Sequence, residues 1–208
     1  MADGTTTDRA GVPGGDRIRD DEIAQAWVEA PPELNATITL AEYDPDWPRR
    51  YERLAASVRA ALANRVRLLE HVGSTSVPGL VAKPRFDMIL GVEDSAAEDR
   101  YAPDLETAGF RLTIREPDWF EHRVFTRDDA AVNLHVFTDG CPEIAEMLLF
   151  RDWLRANDAD RELYGRSKRD LAARTWRYVQ HYADAKHEVV GEIKARAHAA
   201  SDCPSLDE

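Results

Sequence analysis

The run Glu70-His71-Val72-Gly73-Ser74-Thr75-Ser76-Val77-Pro78-Gly79-Leu80, followed by Lys83-Pro84-Arg85-Phe86-Asp87, constrains this chain more than any other feature. Val66 to Val72 and Phe86 to Val92 are short apolar runs bounded by Gly and Pro, as buried strands are. Between them Gly73 permits close approach of a backbone or a phosphate, while Ser74, Thr75 and Ser76 offer hydroxyls and N–H groups. The strand period of two sets Asp87 opposite to Phe86, Met88 and Leu90, on the face that also carries Ile89 and Gly91. A carboxylate there needs a partner, a cation or water. A polar strand-loop-strand connection, with Asp87 bonded to turn amides, explains the same segment without any ligand.

Around this segment the pattern is mixed. A short helix is expected over Asp21 to Glu29, stopped by Pro31-Pro32, and a strand over Ala36 to Tyr43. Asp44 to Pro48 reads as a turn into a helix whose Tyr51, Leu54, Val58 and Leu62 form one apolar face. Ala96 to Ala108 suits a helix, and Phe110 to Arg115, His122 to Thr126 and Ala131 to Phe137 suit strands. The remainder reads as helical: one helix from Pro142, one near Asp160 to Thr175, and one over Val179 to Ala197 with Val179, Tyr182, Val189, Ile193 and Ala197 on one stripe. Strands first and helices last imply an α/β or α+β fold, with a mixed sheet flanked by helices and a helical C-terminal part. Residues 1–20 are expected to be a disordered tail, 21–200 a single domain, and 201–208 a flexible tail.

Composition narrows the function. The formal charge is −12, of which the acidic tails carry −7 and the body −5. A broad nucleic-acid or anionic-membrane surface, built from clustered Lys and Arg, is therefore disfavoured, although a local anion site is not. Cys141 and Cys203 fit no metal spacing and no disulfide framework, so a reducing cytoplasm is expected. No apolar run approaches the roughly 18 residues of a membrane span. The chain has no GxxxxGK[ST], no GxGxxG and no G-x-S-x-G, which removes the main sequence support for P-loop, dinucleotide-binding and α/β-hydrolase readings.

Several other residues bear on a site. Lys186 lies on the apolar stripe between Tyr182 and Val189, and Lys168 follows Tyr164 by four residues. Inward lysines are unusual unless paired; they would either neutralise a phosphate above the Gly73-Ser74 turn or extend their stems to solvent. Glu70 and His71 point in opposite directions from one strand, so one of them faces the site. Asn133 and His135 share a strand face. His71, His122 and His135 have no spacing that supports zinc. Arg115 to Arg123 reads as a solvated loop or a lid, in which Glu116, Asp118 or Glu121 could supply a carboxylate and Arg123 could contact substrate. Trp153 and Trp176 read as core.

Together the run Tyr43-Asp44-Pro45-Asp46-Trp47-Pro48, the Glu70 to Leu80 block, Lys83-Pro84 with Asp87, Asn133-Leu134-His135-Val136, and Leu149-Phe150-Arg151-Asp152-Trp153-Leu154 resemble the GrpB family over residues 36–198. The resemblance implies membership of the nucleotidyltransferase superfamily and a polymerase-β-like fold. In that case Gly73-Ser74 matches the Gly-Ser phosphate turn and Asp87 the first metal-binding acid. The superfamily's usual second acid, two residues on, is here Ile89, and the strand that commonly gives a third offers Asn133 and His135. The resulting expectation is an enzyme that transfers a nucleotidyl group from an NTP to a small acceptor with Mg²⁺ (or Mn²⁺), adenylation for ligation being one form of it. Asp87, Lys186 and His135 are the expected catalytic groups. Gly73, Ser74, Thr75, Ser76, Lys83 and Lys168 would hold the nucleotide, and Asp87 with Glu70 the metal. The competing expectation is a non-catalytic nucleotide or phosphometabolite binding module. Partners are then a nucleotide and a small molecule, with no membrane and no oligomeric state implied.

Overall fold

The computed structural model describes residues 18–127 and 129–201. Five strands form one mixed sheet: β1 (Leu68–Val72), β2 (Phe86–Val92), β3 (Arg111–Glu116), β4 (His122–Arg127) and β5 (Val132–Thr138), in the spatial order β1-β2-β5-β4-β3. β2 and β5 run parallel and every other pair is antiparallel. The fold is α+β, a five-stranded mixed sheet flanked by helices, as the order of elements in the sequence implies.

The alternation within the strands decides which helix covers which face. Met88, Leu90, Leu134, Val136 and Phe125 point to one side. There they meet α2 (Trp47–Leu62), through Tyr51, Leu54, Val58 and Leu62, and α3 (Ala102–Thr107), through Leu105. On the other side Val72, Ile89 and Phe137 pack under α4 (Pro142–Ala156), through Ile144, Met147 and Leu148. The strand β1 is a sheet edge, and its outward carbonyls are covered: Tyr51 donates to Leu69 O at 3.2 Å and Arg151 to His71 O at 3.0 Å. Helices α5 (Asp158–Ala172) and α7 (His187–Ser201) close around Val77, Leu80, Leu154, Tyr164 and Ile193, which anchors them beside the Gly73 turn.

Three expected elements differ. Ala36 to Tyr43 forms no strand; it makes isolated bridges from Ala36 to Trp176 and from Ala41 to Ala82, because it crosses the C-terminal helices rather than an open sheet edge. The Ala96 to Ala108 helix is shorter, a 3₁₀ turn at Glu98–Arg100 and then α3, divided at Tyr101 just ahead of Pro103. The expected helix from Val179 to Ala197 is two helices, α6 (Val179–Asp184) and α7, and Lys186 stands in the break. A short α1 (Asp20–Ala26) also begins inside the expected N-terminal tail; residues 1–17 and 202–208 of the two expected tails lie outside the described residues. Trp176 is core, clustered with Ile38, Leu171 and Tyr182. No described helix is long and apolar enough to cross a membrane.

Candidate functional site

The site is built where β1 ends and β2 begins. Gly73 has φ +67°, a conformation available to glycine at no steric cost, and leads into a 3₁₀ turn over Ser74–Ser76. A Cβ on Gly73 would lie 2.4 Å from Asp87 Oδ2, so the carboxylate rests directly against the glycine backbone. Asp87 pairs across the ladder with Val72 on one side and Asn133 on the other, which puts Asp87 and Asn133 side by side on one face. Asn133 Nδ2 donates to Asp87 Oδ1 at 2.8 Å, and Arg85 holds Asn133 Oδ1 at 3.0 Å. The Asp87 side chain keeps about a third of its surface open (32%). Burial opposes its charge, yet His135, Asn133 and Lys83 together hold the carboxyl below the usual carboxylate range.

A line of side chains runs away from Asp87 across the sheet. His135 Nε2 lies 3.8 Å from Asp87 Oδ1, His135 Nδ1 lies 3.0 Å from His122 Nε2, and His122 Nδ1 lies 2.8 Å from Glu116 Oε2. His122 is stacked on Phe137 at 4.5 Å, and burial pushes its pKa down to about 4 against the pull of Glu116. Of the three carboxylates expected from the Arg115 to Arg123 segment, Glu116 alone connects to the site, and it does so through two imidazoles. Arg123 is turned away: it is buried and paired with Glu98 at 2.6 Å and Glu121 at 3.1 Å.

The third component is cationic. Lys83, Lys168 and Lys186 all interact electrostatically with Asp87. Burial, with Arg85 and Lys186 nearby, lowers Lys83 to about 8. Burial and then Lys186 and Arg169 lower Lys168 to about 6. Burial also lowers Lys186, against the pull of Asp87. Lys168 lies over the Tyr164 ring and donates to Val81 O, so its amine is tied to the backbone after the turn. Lys186, in the break between α6 and α7, lies 4.8 Å from the Tyr182 ring centroid.

Of the expected site residues, Gly73, Asp87 and His135 lie together, Ser74 follows in the same turn, and Lys83, Lys168 and Lys186 are near enough to interact with Asp87 electrostatically. Three expected ligands do not reach the same point. Thr75 is buried and its hydroxyl lies 2.9 Å from His71 Nε2 while donating to Arg85 O. Ser76 is buried and donates to Gly73 O at 2.6 Å. Both hydroxyls hold the turn in shape, leaving Ser74 as the hydroxyl of the turn that faces the helices. Glu70 shares the sheet face of Asp87 but is paired with Arg151 at 2.7 Å, beyond Ile89. His71, on the opposite face, stacks on Tyr51 at 4.5 Å and is core. Two contributors are invisible to local spacing. Tyr164, on α5, interacts with the Ser74 side chain, and Arg85 orients Asn133 from the loop before β2. The Tyr164-to-Lys168 spacing flags the helix face but not its partner.

A groove of about 900 Å³ lies instead along the edge of β1. Its arginines are committed within the protein, Arg151 to Glu70 and Arg155 to Ser76 O and Asp152. Among the described residues no three of His, Cys, Asp and Glu gather closely enough to hold a metal ion by themselves.

The family model described as GrpB protein matches residues 37–196. A UPF0157 protein of Halalkalibacterium halodurans is 57% identical over 180 residues, covering 86% of this chain and 92% of that protein. A UPF0157 protein of Streptomyces coelicolor is 42% identical over 163 residues, 78% of this chain and 86% of that one. Among solved structures, the conserved protein GrpB from Enterococcus faecalis superposes with a TM-score of 0.70 at 28% identity, covering 78% of this chain and 99% of its own.

Proposed function

The chain belongs to the GrpB family, and we propose that it is a nucleotide-dependent transferase that places the phosphates of an NTP over the Gly73-Ser74 turn. The observation that carries this reading is the contact between the Asp87 carboxylate and the Gly73 backbone, with Lys83, Lys168 and Lys186 near enough to interact electrostatically with the acid. An acid pressed against a glycine turn, with Lys83 and Lys186 nearby, suits a polyphosphate bridged to the protein by one hard cation. Mg²⁺ binds in this way through one or two carboxylates, with water and phosphate oxygens completing its shell.

The donor set fits one ion and not two. Ile89, where a second acid would stand, is fully buried under α4, and Glu70 is occupied by Arg151. When bound, the ion would supply charge neutralisation and alignment of the phosphates at Asp87. The chain's own groups do the rest. Ser74 and the turn amides orient the phosphates, while Lys83 and Lys186 neutralise charge that develops as pyrophosphate leaves. The acceptor's oxygen or nitrogen forms the new bond to the α-phosphorus, and pyrophosphate carries away the electron pair of the broken one.

The test is thermal stabilisation by each NTP with and without Mg²⁺, paired with pyrophosphate release in the presence of candidate small acceptors. A ligand at a hundred times its Kd stabilises by about 2.7 kcal/mol. The expected result is a Mg²⁺-dependent shift that Asp87→Asn abolishes. A wild-type protein that no nucleotide stabilises would overturn the reading. The buried Ile89 favours a second reading, a binding module without turnover, which predicts the same shift and no pyrophosphate with any acceptor.

A further inference from the structure

Residues 18–28 precede the 37–196 stretch that the GrpB model matches, yet they are fastened to the domain at both ends. At the start, Ile18 N donates to Asp184 Oδ2 at 3.2 Å, and Asp20 pairs with Arg177 and with His181 Nε2, the latter at 3.1 Å. These contacts hold α6 by its last residue, Asp184, just ahead of Lys186. At the finish, Trp27 bridges to Ile114 and Val28 N donates to Thr113 O at 2.9 Å, on the outer edge of β3. The polar row of Asp87, Asn133, His135, His122 and Glu116 crosses the sheet between the same two ends, from β2 beside Lys186 to β3. Three strand spacings of about 4.8 Å make about 14 Å, and residues 18–28 reach about 20 Å at about 1.5 Å per helical and 3.3 Å per extended residue. The helix keeps to the row's side of the sheet. Its Glu22 and Gln25 line a cavity of about 580 Å³ together with Glu116 and Trp119, and the Trp119 ring lies against His122 and Phe137.

We propose that residues 18–28 form a strap that closes the site along its β3 side, hinged at Trp27 and Val28 and latched to α6 through Asp20 and Asp184. This deepens the reading above and rests on it only for what the strap admits. The two anchors differ in strength. The hinge shares a backbone hydrogen bond with β3, and Ile23, on the helix that follows the latch, is 1% exposed. Ile23 lies outside the two apolar layers of the sheet, so its burial belongs to the strap itself. The latch is made of charges in water, for Asp20 keeps 45% and Arg177 53% of its side-chain surface. Ion pairs in that setting hold little and weaken further with salt. A segment with one firm end and one weak end opens from the weak one. Here that is the end beside Lys186: Asp184 closes α6 immediately before the break in which Lys186 stands, so release of the latch also frees the turn that carries this lysine.

The chain's four lysines supply the readout, since Lys83, Lys168 and Lys186 interact with Asp87 while Lys194 pairs with Glu146 of α4 at 3.2 Å. The full-length protein is labelled with trinitrobenzenesulfonate, an anionic amine reagent, and each lysine is followed by peptide mass spectrometry. Hydrogen exchange over residues 18–28 reports whether the strap is attached. Asp20→Ala combined with Asp184→Ala should raise exchange over 18–26 and speed the labelling of Lys83 and Lys186 by about fivefold or more, with Lys194 unchanged. Ile23→Ser should reach the same state without altering the latch or α6. Three results would overturn the strap: exchange that neither variant raises, exchange that rises with no change at Lys83 or Lys186, or faster labelling in the Asp20 and Asp184 variant alone, which would report the lost Asp184 charge and not a lost cover. Labelling needs no nucleotide, so the two proposals fail separately. Faster labelling in both variants, in a protein that no nucleotide stabilises, would remove the transferase reading and keep the strap; Mg²⁺-dependent nucleotide binding with unaltered labelling would do the reverse.

Discussion

The two faces of the sheet are made from alternate residues of the same strands, yet they behave as different materials. On one, Met88, Leu90, Leu134 and Val136 pack under α2 and α3 into a continuous apolar layer. On the other, Ile89 and Phe137 are equally dry under α4, while Asp87, Asn133 and His135 stand clear of the helix at the end near the Gly73 turn. A single face thus holds a core and a polar site, and the boundary between them is where α4 stops covering the strands. Alternation assigns residues to a face; only the covering helix determines whether that face is wet.

This contrast can be attacked directly. The largest effect is expected from Ile89→Asp, the substitution that would restore a second acid beside Asp87. It places an unpaired charge beneath Ile144 and Phe137 and should destabilise by about 4 kcal/mol or more in urea unfolding. A stable, fully folded Ile89→Asp would show that the α4 end of this face is wetter than its packing indicates. Leu134→Ala, on the dry face, should cost about 2 to 5 kcal/mol through the cavity it leaves, with ligand affinity of the folded fraction unchanged. If its affinity falls in step with its stability, the two faces are coupled and the division fails.

Gly73→Ala combines a strained φ with a clash at Asp87 Oδ2, and the backbone strain alone is about 1 to 3 kcal/mol. Displacement of the carboxylate should remove nucleotide-dependent stabilisation altogether, read by the same thermal assay. The smallest effect is a pH dependence. Lys83 is lowered to about 8 in the folded protein, so its contribution to polyphosphate affinity should be full below that pH and decline above it, by up to about tenfold per unit. Lys83→Met should bind more weakly at neutral pH and lose that decline. Stability moves the other way: with its folded pKa below the ordinary 10.5, the folded chain holds fewer protons between about 8 and 10.5, and stability rises with pH through that window.

Much of the architecture was legible because it is local. Phe86 to Val92 is the second strand to the residue, and Pro142 opens its helix, because apolar runs and proline act within a few positions of themselves. The failures share a cause as well. Ala36 to Tyr43 has strand composition but finds Trp176 and Ala82 instead of a ladder, and the long C-terminal stripe is cut at Lys186 although its periodicity continues through the cut. In the first case the partners, Ala82 and Trp176, are more than 40 residues away in sequence. The site divides in the same way. Gly73, Ser74 and Asp87 are readable as one strand-turn-strand unit, whereas the Tyr164 contact to Ser74 and the Glu116–His122–His135 line join residues that no period links.

By itself the sequence determined the mixed sheet, the glycine turn and the placement of Asp87 beside it, since these follow from side-chain alternation and from the one residue that tolerates both a positive φ and a carboxylate at contact distance. Tertiary structure decided the chemistry of everything around that acid. Strand order brought Asn133 and His135 against it, α4 sealed Ile89 away from water, and Arg151 claimed Glu70. Charge and hydrogen bonding depend on what lies within a few ångströms in space, and that neighbourhood exists only once strands distant in the chain have paired.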